Sequence, residues 1–178
     1  MSQYKELPQV EFAVAAQNAF KKFFQFNGRI RRSEYWWGFL TLFIAAFVIS
    51  LVPFVGPLVA LVLSIAGISM QFRRLHDTGR SGWWWAAQAC VGTISCTLFF
   101  VSFNFSAYLE AIRSQDIQAA MNVLISAITS ITGILAIVFY LINIALGITI
   151  LVFLLQDSQP EANKYGDSPK YILNNTEL

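Results

Sequence analysis

Three stretches of the chain carry no charged side chain: residues 35–72, 81–109 and 117–156. A helix needs only ~20 mostly apolar residues to cross a hydrocarbon core of ~30 Å. Glu34, Arg73, Arg80, Glu110, Asp116 and Asp157 fence the three runs. The turn-forming PFVGP at 53–57 divides the first run into two spans, about 35–52 and 58–72. The second run predicts a span over 83–105. In the third, a single helix over 121–155 would extend ~50 Å, longer than the membrane is thick. We therefore expect one long helix whose Ser- and Thr-rich first half (Ser126, Thr129, Ser130, Thr132) protrudes or lies along the far surface, and whose crossing part is about 134–155. Before the first span, VEFAVAAQNAFKKFFQF at 10–26 places Phe12, Ala16, Ala19, Phe23 and Phe26 on one stripe with Lys21 and Gln25 turned away, the pattern of an amphipathic helix. Asn27 and Gly28 end it, and Ser33 is well placed to cap the next helix.

The predicted fold class is an all-α integral membrane protein: four transmembrane helices with an N-terminal amphipathic interfacial helix. Residues 1–34 form a cytoplasmic amphipathic segment with a basic motif, 35–155 the membrane domain and 156–178 a cytoplasmic tail. An alternative for 10–26 is a helix packed on the protein's own loops. Gly56, Ala60, Ser64 and Gly67 give the second span a small-residue face suited to close helix contact.

Composition agrees with the pattern: of 178 residues 56% are hydrophobic and only 12% charged, far from the average of a soluble domain. Charge sets the orientation. Of twelve Lys and Arg, six precede the first span, three lie between spans two and three, two follow span four and one, Arg113, lies between spans three and four. The bias predicts cytoplasmic termini and a cytoplasmic 73–82 loop. Trp36, Trp37, Trp83, Trp84 and Trp85 open spans at that same surface, as interfacial anchors do. The opening residues lack the pattern of a cleaved signal peptide, so the chain is expected to be kept whole. Cys90 and Cys96, six apart on one predicted helix, are too distant for a disulfide and read as small packing hydrophobes.

The chemistry gathers in RRLHDTGRSGWWW at 73–85. Asp77-Thr78-Gly79 has turn chemistry, yet a turn does not require so many ionisable groups. Arg29, Arg31, Arg32, Arg73, Arg74 and Arg80 should converge on one face, with Glu34, His76, Asp77 and Asp157 as candidate ion-pair partners. One reading is structural, ion pairs that clamp the N-terminal segment to the loop. In the other, surplus arginines bind phosphate or a protein partner, because guanidinium matches phosphate oxygens in a bidentate fork. GRSG at 79–82 resembles the Ser motif of intramembrane proteases, but the lone histidine, His76, sits on the same loop and is poorly placed as its base. His76 with Asp77 supplies too few ligands for a metal. The spans carry no charge, and Gln88 and Asn143 are the main polar candidates for a transport path.

Taken together, FFQFNGRIRRSEYWW, RRLHDTGRSGWWW and QPEANKYGDSPK, in that order with apolar spans between them, resemble the bacterial inner-membrane family known as domain of unknown function 805. The resemblance covers about Phe20 to Lys170 and implies a small multi-span protein of the bacterial cytoplasmic membrane. It implies no activity and no catalytic residue. The expectation is an inner-membrane interaction or scaffold protein whose arginine-rich cytoplasmic face meets anionic lipid, a protein partner or a second copy. No nucleic acid, cofactor or metal is expected; a small oligomeric transporter or channel is the alternative, and a membrane enzyme using the His76-Asp77 loop the next.

Overall fold

The computed structural model describes residues 3–174. Nearly all of the secondary structure is helical: β1 (Tyr4–Glu6), α1 (Phe12–Lys21), α2 (Arg32–Ser50), α3 (Val55–Asp77), α4 (Trp83–Ser102), α5 (Phe105–Arg113), α6 (Ile117–Thr129), α7 (Ile131–Leu155) and β2 (Tyr171–Leu173). Four of these, α2, α3, α4 and α7, are long and apolar enough to cross a membrane. The chain divides into two compact units, one formed by the chain up to Trp85 with the stretch from Leu151 on, the other by Ala86–Ile150.

In the first unit, α2 and α3 form an antiparallel hairpin that closes through Pro53 and Phe54. Phe54 takes a positive φ of 63° and is 92% exposed, so its side chain projects away from the turn. The unit packs tightly where α1 crosses the hairpin. A Cβ on Gly38 would come 2.3 Å from Met70 Cε and 3.4 Å from Ala19 Cβ, so the absent side chain lets three helices meet. The α1 face buries Ala15 and Ala19, while Phe12, Val14 and Phe20, and Phe24 in the turn that follows, remain exposed. Helix α1 thus packs on the protein's own body and still presents aromatic rings outward.

α1 is shorter than the periodicity predicts. It ends at Lys21, the Lys22 N–H closing the last turn on the Asn18 carbonyl (3.0 Å); a turn follows in which Gln25 N–H reaches the Lys22 carbonyl (3.1 Å), and Phe26 packs edge-on against Phe72 of α3 at 5.4 Å. Contact with α3 overrides the local helical pattern. Ser33 does not cap α2: Arg31 holds the N-cap position without a side-chain cap, and the Ser33 hydroxyl is buried without a partner among the described residues. The small-residue face of α3 lines a shallow cleft with α2, through Ala60, Ser64 and Gly67 opposite Tyr35, Phe39 and Phe43.

The polar tail is also ordered, and periodicity gave no sign of it. β2 pairs antiparallel with β1, Tyr4 opposite Leu173 and Glu6 opposite Tyr171. An isolated two-stranded ribbon is marginal in water, so its neighbours must hold it. The Leu7 N–H extends the ladder to the Lys170 carbonyl at 2.8 Å.

In the second unit the expected long helix is two helices. Ser130 leaves helical geometry (φ −65°, ψ 156°), and its hydroxyl accepts the Gly133 N–H at 3.0 Å to start α7. A Cβ on Gly133 would lie 1.8 Å from the Ala127 carbonyl oxygen, so this bend tolerates no side chain there. The polar 106–118 segment contains α5, capped by Asn104, and α6 is capped by Asp116, each side chain accepting an amide of the first turn. Helices α4 and α7 lie side by side. Ser95 Oγ donates to the Ala136 carbonyl (2.8 Å) and Asn143 Nδ2 to the Gln88 carbonyl (2.7 Å), and a cavity of about 430 Å³ opens between them, lined by Cys96, Tyr140 and Asn143 among others. Both cysteines are exposed rather than packed inside. Only 6% of the apolar stretch of α4 and 11% of that of α7 is buried within the chain, as befits helices whose solvent is lipid.

Candidate functional site

At the centre of the first unit the largest fully buried side chains include Arg73, Arg74 and Asp77. Buried charge is costly unless it is paired and hydrogen-bonded, so their partners define the site. Asp77 ends α3 and is completely buried. Its Oδ1 accepts from Arg29 Nε at 3.0 Å, and its Oδ2 accepts from Arg74 Nη1 and from Ser158 Oγ, the latter at 2.6 Å.

Each arginine directs most of its other donors to the end of α7 and the stretch that follows it. Arg29 donates through Nη1 to the carbonyls of Glu161 (2.8 Å) and Gly166 (3.1 Å), and through Nη2 to that of Gln159 (2.6 Å). Arg74 donates through Nε to the Leu154 carbonyl (3.0 Å) and through Nη2 to that of Gln156. The planar guanidinium suits this task, with five N–H donors in a fixed fork and a charge that no neighbour removes.

His76 completes the junction. Its ring stacks face to face on Tyr165, centroids 3.7 Å apart and planes within 5°, while Nδ1 lies 3.2 Å from the carbonyl of Gly28. Gly28 adopts φ +90°, a left-handed turn that glycine takes without strain. Asn163 Nδ2 donates to the His76 carbonyl at 3.0 Å. The three polar stretches of the sequence, around residues 29, 77 and 160, thus meet at one point.

The remaining arginines differ. Arg31, 4% exposed, donates to the carbonyls of Leu7 and Pro8 and lies 3.6 Å from Glu6. Arg80 donates to the Thr78 carbonyl and to Gln156 Oε1 (2.7 Å), with its guanidinium 3.8 Å over the Phe153 ring. Arg73 donates to the Ser69 carbonyl and keeps a buried Nη2 without a partner among the described residues. Arg32 is exposed and, among the described residues, makes one hydrogen bond, to the Leu155 carbonyl at 3.2 Å.

Of the candidate acids, only Asp77 pairs with the arginine cluster's core. Glu34 accepts from Asn18 of α1 (2.7 Å). Asp157 pairs with Lys170 Nζ (2.6 Å) and with the Tyr171 hydroxyl (3.0 Å). Burial disfavours both charged forms here, but the hydrogen bond between them more than offsets it: Asp157 is held below the usual carboxylate range and Lys170 is raised above the usual ammonium value. Among the tryptophans, Trp83 and Trp37 are exposed, Trp84 packs edge-on against Phe153, Trp85 lies beside Phe72 and Trp36 beside Tyr35.

Sequence reasoning missed Ser158, Gln159, Asn163, Tyr165 and Lys170. Their one signal was QPEANKYGDSPK itself, a turn-rich polar run of definite composition after the last span. Among the described residues no group of three or more His, Cys, Asp or Glu side chains comes together as a metal site.

Comparison with known proteins adds the following. The profile of a family described as "Protein of unknown function (DUF805)" matches residues 23–167. "Inner membrane protein YhaH" of Escherichia coli (strain K12) is 34% identical over 76 residues, covering 36% of this chain and 63% of that protein. "Inner membrane protein YhaI" of the same organism is 33% identical over 91 residues, covering 47% of this chain and 68% of that protein. The match thus spans less than two thirds of the length of YhaH. No solved structure matches the chain.

Proposed function

Because the chain belongs to the DUF805 family, whose relatives here are inner-membrane proteins, we propose that it is a non-catalytic inner-membrane interaction protein with a preassembled cytoplasmic cap. Arg29 and Arg74 act as the clamp of that cap, joining the N-terminal segment, the last turns of α3, which run through residues expected to be loop, and the tail. The cap meets anionic headgroups through α1. One observation carries this reading: α1 buries Ala15 and Ala19 against the protein yet exposes Phe12, Val14 and Phe20 beside an exposed Lys21, and Phe24 is exposed in the turn that follows. Aromatic rings at the acyl boundary with lysines toward the headgroups is the arrangement of an interfacial helix. The engagement of His76 and Asp77 by packing and hydrogen bonds favours interaction over catalysis.

The test places an environment-sensitive fluorophore at Phe24→Cys in protein lacking Cys90 and Cys96. In nanodiscs its emission should shift to the blue when phosphatidylglycerol is included, and Lys21→Gln with Lys22→Gln should remove most of that shift, since each basic residue near an anionic surface contributes ~1 kcal/mol. Equal emission in neutral and anionic nanodiscs would sink the lipid role. A second reading, a small oligomeric transporter or channel, draws on the 430 Å³ cavity beside Asn143. Flux in proteoliposomes that disappears on Asn143→Leu would favour it.

A further inference from the structure

A second polar feature of the first unit lies apart from the Asp77 clamp. At the start of α2 a cavity of about 60 Å³ is lined by Arg31, Arg32, Ser33 and Lys170 together with Glu6, Gln9 and Asp157. Both acids are already matched. Asp157 takes Lys170 at 2.6 Å, and Glu6 lies 3.4 Å from Lys170 and 3.6 Å from Arg31. The third cation is left over, because Arg32 spends a single N–H on the Leu155 carbonyl. Ser33 carries a fully buried hydroxyl with no hydrogen-bond partner among the described residues. The first turn of α2 has no side-chain cap, so its amides add positive potential on the same wall. Donors therefore exceed acceptors here, and a buried polar group without a partner is a standing cost that a ligand relieves.

We propose that this cavity binds a phosphate group, held by the free N–H groups of Arg32, the Ser33 hydroxyl and the opening turn of α2. Size fits: an enclosed water needs ~10–15 Å³, so 60 Å³ leaves room for a tetrahedral oxyanion. Chemistry fits too, since a phosphate offers several acceptor oxygens to donors of different kinds, and charge-assisted hydrogen bonds are the strong ones. Either a phospholipid headgroup or free phosphate presents this group. Arg32 opens the apolar run of α2 and the Trp36 ring lies one turn further on, a level at which a lipid phosphate is at hand. The site goes beyond the α1 reading and does not depend on it.

Full-length protein in detergent is titrated with inorganic phosphate, followed by its thermal unfolding, and separately with phosphatidylglycerol, followed by native mass spectrometry. Wild type should bind at least one of the two. Ser33→Ala should unfold at the same temperature or higher without ligand, because it removes a hydroxyl that bonds nothing, yet weaken binding about tenfold. Arg32→Gln should weaken it at least as much, and Lys21→Gln with Lys22→Gln should leave it intact. Ser33-dependent binding of phosphate alone identifies a soluble anion, and of phosphatidylglycerol alone a lipid. Binding of neither by wild type, or equal binding by wild type and Ser33→Ala, overturns the proposal.

Discussion

Asp77 concentrates more structural consequence than any other single residue. Its two oxygens hold Arg29, Arg74 and Ser158, and the two arginines in turn hold the five carbonyls of Leu154, Gln156, Gln159, Glu161 and Gly166. Removing one partner of a buried pair leaves the other charge uncompensated, at a cost of ~3–5 kcal/mol. Asp77→Ala should therefore lower stability by about that much in chemical unfolding in detergent. Arg29→Ala should behave similarly, and the double variant should cost less than the sum, since the two changes remove the same pair. An unaltered midpoint for Asp77→Ala would remove the clamp. The sequence indicated that Asp77 would face arginines. It did not indicate that Asp157 would instead choose Lys170, because both acids lie within reach of several cations until the backbone is placed.

At the scale of elements, helices were legible wherever an apolar run exceeded the span length, because in hydrocarbon the backbone must satisfy itself. The break at Ser130 was not. Ser130 is an unremarkable residue of an apolar stretch until its hydroxyl takes the place of a backbone acceptor. The β1–β2 ribbon was equally hidden, since three-residue strands carry no usable period. The Asp157–Lys170 bond is one of its ties, beside Arg31 on the Leu7 and Pro8 carbonyls, and gives it a pH dependence. Asp157 is depressed, so its contribution is present above the unfolded value near ~3.9 and is lost as pH falls through the folded value. Lys170 is raised, so its contribution is full below ~10.4 and is lost as pH climbs through the folded value. Protection of the Leu7 amide, whose acceptor is the Lys170 carbonyl, should be flat from pH 5 to 9 and fall below about pH 4. Hydrogen exchange corrected for intrinsic rate reads this directly. Lys170→Met should flatten the acid limb; an unchanged limb would mean that another acid governs the ribbon.

For the molecule as a whole, the distribution of Lys and Arg predicts orientation. Eleven lie on segments assigned to one side, and Arg113 alone on the segment between the third and fourth spans, the bias of a positive-inside protein. Single cysteines introduced at Lys164 and Gln115, both exposed, in protein lacking Cys90 and Cys96, should react from opposite faces of sealed inverted vesicles. A membrane-impermeant maleimide should label position 164 and spare 115. Labelling of both from one side would overturn the four-span topology.

The primary structure alone determined that the chain enters a bilayer and roughly where its apolar helices run, because these follow from how long a stretch stays uncharged and where charge resumes. It also displayed the three polar stretches through which the family is recognised. Only the tertiary structure decided which donor meets which acceptor. Arg29 and Glu161 are 132 positions apart, and hydrogen bonds require partners within ~3.2 Å in a defined direction, a condition that no spacing along the chain can specify until helices α1 to α3 and the tail have packed.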